Sequence, residues 1–135
     1  MVFADSSGFI AVFQARDAGH QDAERAWRDI QAAREGILTT SFVLAETVTI
    51  FRRRLGWEAS RRVGEGILRS RGCEVVYPTR EETEAAWREL VRNPAPKVSL
   101  CDALSFVIMR HRGIARALTF DRHFAEAGFA ALPWA

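Results

Sequence analysis

Val2-Phe3-Ala4-Asp5-Ser6-Ser7-Gly8-Phe9-Ile10 is the stretch that decides the fold. An apolar run suited to a buried strand ends on an aspartate, two hydroxyl residues follow, and a second apolar run begins. Strands covered on both faces read as continuous apolar segments, and serine at a strand's end is a helix-capping residue. The stretch therefore predicts a first strand over 2–4 and a helix opened by the hydroxyl of Ser6 or Ser7. Strand feeding directly into helix is the repeating unit of a parallel α/β sheet.

The same alternation continues outward. A second helix is expected from about His20 to Arg34, because Ala23, Ala26, Trp27, Ile30 and Ala33 recur at spacings of three and four and form one inward stripe. Gly36 should end it, and Ile37-Leu38-Thr39-Thr40 reads as strand two. Ser41 then caps a helix through Arg54, Glu58 to Arg71 forms another closed by Gly72, and Cys73 to Tyr77 is strand three. Thr79 and Glu82 make a capping-box pattern that opens a helix to Arg92. Ser99 opens a helix to His111 or Arg112, stopped by Gly113. Its Leu100, Ala103, Leu104, Phe106, Val107, Ile108 and Met109 leave almost no polar face, so it should be buried. Ala115 to Phe120 is strand four and Phe129 to Leu132 a short fifth. Pro94-Ala95-Pro96 reads as a loop between helices. Trp27 and Trp87 fit core stripes, whereas Trp57 and Trp134 receive no role.

A chain of 135 residues, 48% hydrophobic and 27% charged, fits one ordered domain over 1–135 with a single core. No run approaches the ~20 apolar residues that cross a bilayer, and the N-terminus lacks the basic-then-apolar pattern of a signal peptide. The expected location is the cytoplasm, with Cys73 and Cys101 as reduced, buried thiols that lack metal-ligand spacing. A formal net charge of +2 says little about partners. All but one of the 19 basic residues are arginine, the exception being Lys97. Arginine suits phosphate, since its planar fork donates two parallel hydrogen bonds, but an arginine-rich composition also follows from a GC-rich genome.

Four acids interrupt apolar segments at telling places. Asp5 ends strand one, Glu46 lies inside the apolar helix from Phe42 to Phe51, Asp102 falls in the first turn of the most apolar helix, and Asp121 follows strand four. In a parallel sheet, strand C-termini and the N-termini of the following helices share one edge, and that edge binds ligands. Carboxylates gathered there repel unless a cation balances them. Hard oxygen ligands suit Mg²⁺ or Mn²⁺, which can activate water and steady charge on a phosphodiester. Each acid also has a structural reading. Asp102 stands three residues after Ser99 and completes a capping box. Asp121 can cap a short helix over 122–127, and Asp5 can cap the first helix. Glu46 lies too far from Ser41 for any such role.

These residues carry a resemblance. Asp5-Ser6-Ser7-Gly8-Phe9-Ile10, Leu44-Ala45-Glu46, Ser99-Leu100-Cys101-Asp102-Ala103-Leu104 and Leu118-Thr119-Phe120-Asp121-Arg122-His123-Phe124 follow one another in the order and spacing of the PIN-domain ribonucleases. The chain most resembles their VapC-type toxins of prokaryotic toxin–antitoxin pairs. The resemblance spans essentially the whole chain. It implies a three-layer α/β/α sandwich with a parallel five-stranded sheet ordered 3-2-1-4-5. It also implies an acidic Mg²⁺ or Mn²⁺ site of Asp5, Glu46, Asp102 and Asp121, supported by Ser6, where many relatives carry threonine. RNA would be the substrate, a cognate antitoxin would insert a basic side chain into the acidic pocket, and the protein would form a homodimer.

Other readings make distinct demands. A non-catalytic PIN-like module that binds RNA or a partner should have lost some of the acids, yet the set is complete. A receiver domain needs paired acids after strand one and a lysine after strand five, but serines follow Asp5 and Lys97 sits in a loop. A haloacid-dehalogenase-type phosphatase needs an acid where Ser7 stands. Arg52, Arg53, Arg54, Arg61, Arg62, Arg69 and Arg71 read either as a phosphate track or as a solvated helix surface. His20 and His123 are proton carriers by chemistry and lie outside the expected site.

Overall fold

The computed structural model describes residues 1–95 and 97–132. Pro96, in the expected interhelical loop, and Trp134 lie outside the described residues. The elements are β1 (Val2–Ala4), α1 (Ser6–Phe13), α2 (His20–Ala32), β2 (Ile37–Thr40), α3 (Ser41–Leu55), α4 (Trp57–Arg69), β3 (Cys73–Val76), α5 (Arg80–Arg92), α6 (Leu100–Arg112), β4 (Arg116–Leu118), α7 (Arg122–Glu126) and β5 (Ala130–Leu132). The five strands form one sheet in the order β3-β2-β1-β4-β5, every pairing parallel. This is the expected order.

Parallel crossovers are right-handed. The path from β1 through β2 to β3 therefore lays α1–α4 on one face, and the return to β4 and on to β5 places α5–α7 on the other. Contacts follow that division: α3 packs on α4, α1 on α2 and α3, and α5 on α6. The chain leaves β1 and β4 toward opposite faces, and a crevice opens between such strands at their carboxyl ends.

The core explains why the central strand β1 is uniformly apolar. Val2, Phe3 and Ala4 are all fully buried, as are Ala117 and Leu118 beside them. Residues Ala103–Met109 of α6 are buried without a break, as its all-round apolarity predicts. Phe124 joins the two halves, stacking on Phe3 at 6.1 Å and meeting Phe106 edge-on at 4.9 Å. Burying a side chain of that size contributes about 1.5–3 kcal/mol. Gly8 permits the closest approach between elements, since a Cβ there would lie 2.2 Å from the Leu118 carbonyl oxygen.

Several boundaries differ from expectation, each for a local reason. The first helix is capped by Asp5, whose Oδ1 accepts from the Gly8 N–H at 2.8 Å; Ser6 and Ser7 stand inside it. Thr40, not Ser41, caps α3 by accepting from the Val43 N–H at 3.1 Å. The second helix stops at Ala32, and the turn runs through Arg34 at φ 54° before Gly36 is reached. Ser70, not Gly72, follows the last residue of α4. Strand three ends at Val76, leaving Tyr77 72% exposed, and strand four is shorter than 115–120. Trp27 packs against the core edge-on to Phe9 and Phe13, but Trp87 is 56% exposed and is no core residue. Cys73 and Cys101 are free thiols and only half-buried. Both capping boxes are made, by Thr79 with Glu82 and by Ser99 with Asp102, and Gly113 closes α6 in the left-handed region at φ 66°. Among the described residues no helix is long and apolar enough to cross a membrane.

Candidate active site

The carboxyl end of β1 delivers Asp5 into the interior, where it is 4% exposed. Its two oxygens are held separately. Oδ1 accepts from the Gly8 N–H and from the Ser7 hydroxyl, both at 2.8 Å, and Oδ2 accepts from the Thr119 hydroxyl at 2.7 Å. Burial nevertheless dominates and pushes the Asp5 carboxyl from its ordinary 3.8 up to about 7, with the charge of Asp121 adding to the rise.

Thr119, the fully buried residue after β4, ties the second strand end to the first. Its Oγ1 accepts from the Asp121 N–H at 3.0 Å while the same hydroxyl donates to Asp5. Asp121 caps α7, its Oδ1 lying 2.9 Å from the His123 N–H and 2.6 Å from His123 Nδ1. Because a carboxylate only accepts, the imidazole donates from Nδ1 in that contact. Asp102, at the third position of α6, accepts from the Ser99 N–H through Oδ2 at 3.0 Å. Partial burial raises its carboxyl above the ordinary value, and the charges of Asp121 and Glu46 raise it further. Glu46 projects from the second turn of α3 and accepts a short hydrogen bond from the Ser6 hydroxyl. The Cys101 thiol is pushed well up by burial first, then by Glu46, Asp102 and Asp5.

The four acids expected from sequence thus share one edge of the sheet, each within the electrostatic reach of another: Asp5 with Asp121, Asp121 with Asp102, Asp102 with Glu46. Ser6, in the first segment, joins it to the second by donating to Glu46. Among the described residues no lysine or arginine forms an ion pair with any of the four; the partner of Asp121 is His123. Among the described residues, too, no three acidic, histidine or cysteine side chains stand as a ready-made metal cage. The acids therefore neighbour one another without being drawn to a single point. Their chemistry fits a hard divalent cation, since all the donors are carboxylate oxygens and, among the described residues, no lysine or arginine forms an ion pair with them.

Sequence reasoning missed Ser7 and Thr119. Both are hydroxyl residues directly beside a chosen acid, and such neighbours commonly fix a ligand's orientation. His123 was set aside, yet it holds Asp121. His20 is remote in function: its Nδ1 lies 2.7 Å from the Ala11 carbonyl and ties α2 to α1. In the arginine-rich surface, Arg61 is taken up by Glu58 and Glu65 and Arg52 lies 5.3 Å over the Trp57 ring, which favours a solvated helix face there.

A parallel sheet in this order, with acids from four segments at its switch point, defines a class. Residues 2–130 match the PIN domain family, and the chain belongs to it. Within that family it is 38% identical over 130 residues to the 23S rRNA-specific endonuclease VapC20 of Mycobacterium tuberculosis, covering 96% of this chain and 95% of the relative. The crystal structure of Mycobacterium tuberculosis VapC20, a sarcin-ricin loop cleaving toxin, superposes with a TM-score of 0.89 at 35% identity, covering 96% of this chain and 97% of that one.

Proposed function

We propose that this protein is a metal-dependent endoribonuclease, the toxin of a type II toxin–antitoxin pair. The observation that carries the reading is the row of neighbouring carboxylates, Asp5, Asp121, Asp102 and Glu46, in which Asp121 raises the proton affinity of Asp5, and Asp121 and Glu46 raise that of Asp102, with no lysine or arginine ion-paired to the four among the described residues. Mg²⁺ or Mn²⁺ would be held by these four, with Ser6 steadying Glu46. Bound there, such an ion supplies charge neutralisation, an activated water and relief of charge on the phosphodiester. The chain's own residues prepare the place: Thr119, Ser7 and the Gly8 N–H fix the two Asp5 oxygens, and His123 fixes Asp121. Both arrangements cut the side-chain freedom that ligand binding must otherwise remove.

Family membership supports an antitoxin partner whose basic side chain enters the acidic row, a homodimeric assembly, and a cytoplasmic location. The named activity of VapC20 makes 23S rRNA and a sarcin–ricin loop oligonucleotide the first substrates to try. Wild type should cut at discrete positions with Mg²⁺ or Mn²⁺ and stop with EDTA. Asp5→Asn, which keeps a helix-capping side chain, should lose roughly 10²-fold or more in rate, the scale of losing a major electrostatic element. Undiminished cleavage by Asp5→Asn, or cleavage that survives chelation, refutes the reading.

A further inference from the structure

A cavity of about 690 Å³ opens between α5, α6 and α7. Pockets that hold small organic groups span about 300–1,000 Å³, so there is room for a nucleoside. The cavity adjoins the acidic row through one side chain, without any of the four acids lining it. His123, whose Nδ1 contacts Asp121, lines it, and so does Ala103, the residue after Asp102. A group seated there is separated from Asp121 by the His123 ring.

The lining indicates what that group is. Ala103, Phe106 and Arg110 present one face of α6, at spacings of three and four. Both Glu89 oxygens accept from Arg110 Nη2, the longer contact being 2.6 Å, which leaves the guanidinium plane at the cavity wall. Bases splayed out of RNA stack on arginine planes, whereas Phe106, packed against Phe124 and Phe129, is buried floor. Asn93 adds an amide with both donors and an acceptor, the kind of group that reads a base edge. The charged lining residues cancel, Arg92 and Arg110 against Glu89 and Glu126, so nothing here selects a phosphate over a neutral ring.

We propose that this cavity receives one unpaired nucleobase of the RNA next to the phosphate being cut, and that it sets which nucleotide is tolerated there. The proposal rests on the nuclease reading and names a subsite beside it. Selectivity in RNA recognition resides largely in such extruded bases.

The test is single-turnover cleavage of an RNA cut by wild type, with the nucleotides around the cut replaced one at a time by abasic residues. Ala127→Trp fills the cavity from an exposed helix end at φ −79°, where any L-residue fits. Asn93→Ala serves as a second variant, independent of how the tryptophan packs. Wild type should lose about 10- to 100-fold at one abasic position. Ala127→Trp should lose a similar factor on intact RNA and then be indifferent to that abasic residue, because both changes remove the same interaction. Asn93→Ala should alter the base preference at that position alone. Wild-type indifference to every abasic position, or losses that simply multiply in both variants, overturns the proposal. A change of oligomeric mass in Ala127→Trp with the abasic loss intact assigns the cavity to an interface between copies and overturns it as well. A wild type that cuts no RNA under any metal condition fails the nuclease reading itself, a different outcome from cleavage without base selection.

Discussion

Thr119→Val removes one hydroxyl and little else, because valine keeps the branched shape in a fully buried position. Two bonds go with it: the donation to Asp5 Oδ2 at 2.7 Å and the acceptance from the Asp121 N–H at 3.0 Å. Losing a hydrogen bond to a charged group costs about 1.5–3 kcal/mol, and leaving a partly buried N–H without its acceptor adds about 1 kcal/mol. The sum is about 2.5–4 kcal/mol with Asp5 ionised. At roughly 3–6 °C per kcal/mol for a domain of this size, the midpoint of thermal unfolding should fall by about 8–24 °C at pH 8.5.

The pH dependence makes the test sharp. Thr119 is the largest influence holding the Asp5 carboxyl down against burial, so its removal lifts that carboxyl further above about 7. At pH 5.5 the folded protein carries Asp5 protonated, and the lost bond is then neutral, worth about 0.5–1.5 kcal/mol. The deficit of Thr119→Val relative to wild type should therefore be larger at pH 8.5 than at pH 5.5. Thr119→Ser, which restores the hydroxyl and leaves a methyl-sized void, should recover the pH dependence though not all of the stability. A loss equal at both pH values, or a midpoint within 1 °C of wild type at pH 8.5, refutes the account of how Asp5 is held.

Two further changes probe the same region. In wild type, Asp5 has a folded-state value near 7 against an ordinary 3.8, so the folded state binds the extra proton and stability declines as pH rises from about 4 through about 7. The decline attributable to this group is about 4 kcal/mol, and Asp5→Asn should abolish it, as urea titrations across that range would show; an unchanged slope in the variant removes Asp5 as its source. Gly8→Ala would force a Cβ to 2.2 Å from the Leu118 carbonyl oxygen, so α1 and β4 must separate. It should cost about 3 kcal/mol or more, and a urea midpoint within error of wild type would show that the two elements are less tightly opposed.

The fold was legible because its strands are short, apolar and punctuated by capping residues. Val2-Phe3-Ala4 and Ile37-Leu38-Thr39-Thr40 could be read to the residue, since each leads directly into a helix behind a capping side chain. Boundaries failed where two neighbouring residues can do the same job. Thr40 and Ser41 both carry hydroxyls, as do Ser6 and Ser7 beside Asp5, and only the backbone angles decide which side chain faces the free N–H groups. Trp87 failed differently: helical spacing shows that residues share a stripe, not whether another element covers it. The four acids were legible because carboxylates in apolar surroundings are costly. Thr119 was not, because a buried threonine in a strand is ordinary until its hydroxyl is seen between two acids.

Capping and site chemistry stood as rival explanations for Asp5, Asp102 and Asp121, and in the folded chain they coincide. Asp102 caps through Oδ2 and Asp121 through Oδ1, and a carboxylate has about four lone-pair positions, so capping does not exhaust either. The cap does something further. A carboxylate anchored to a helix N-terminus has its torsions fixed, and it faces the sheet edge where the helices begin. Asp5 carries this furthest, since three donors set both its oxygens. Glu46 is the contrast. It caps nothing, sits in the second turn of its helix, and is met by the Ser6 hydroxyl and the Cys101 thiol. Both partners are side chains rather than helix N–H groups, so Glu46 is the acid not tied to a helix N-terminus, in a row that among the described residues is no ready-made cage. For Asp5, Asp102 and Asp121, the capping role is the means by which the proposed site would be built.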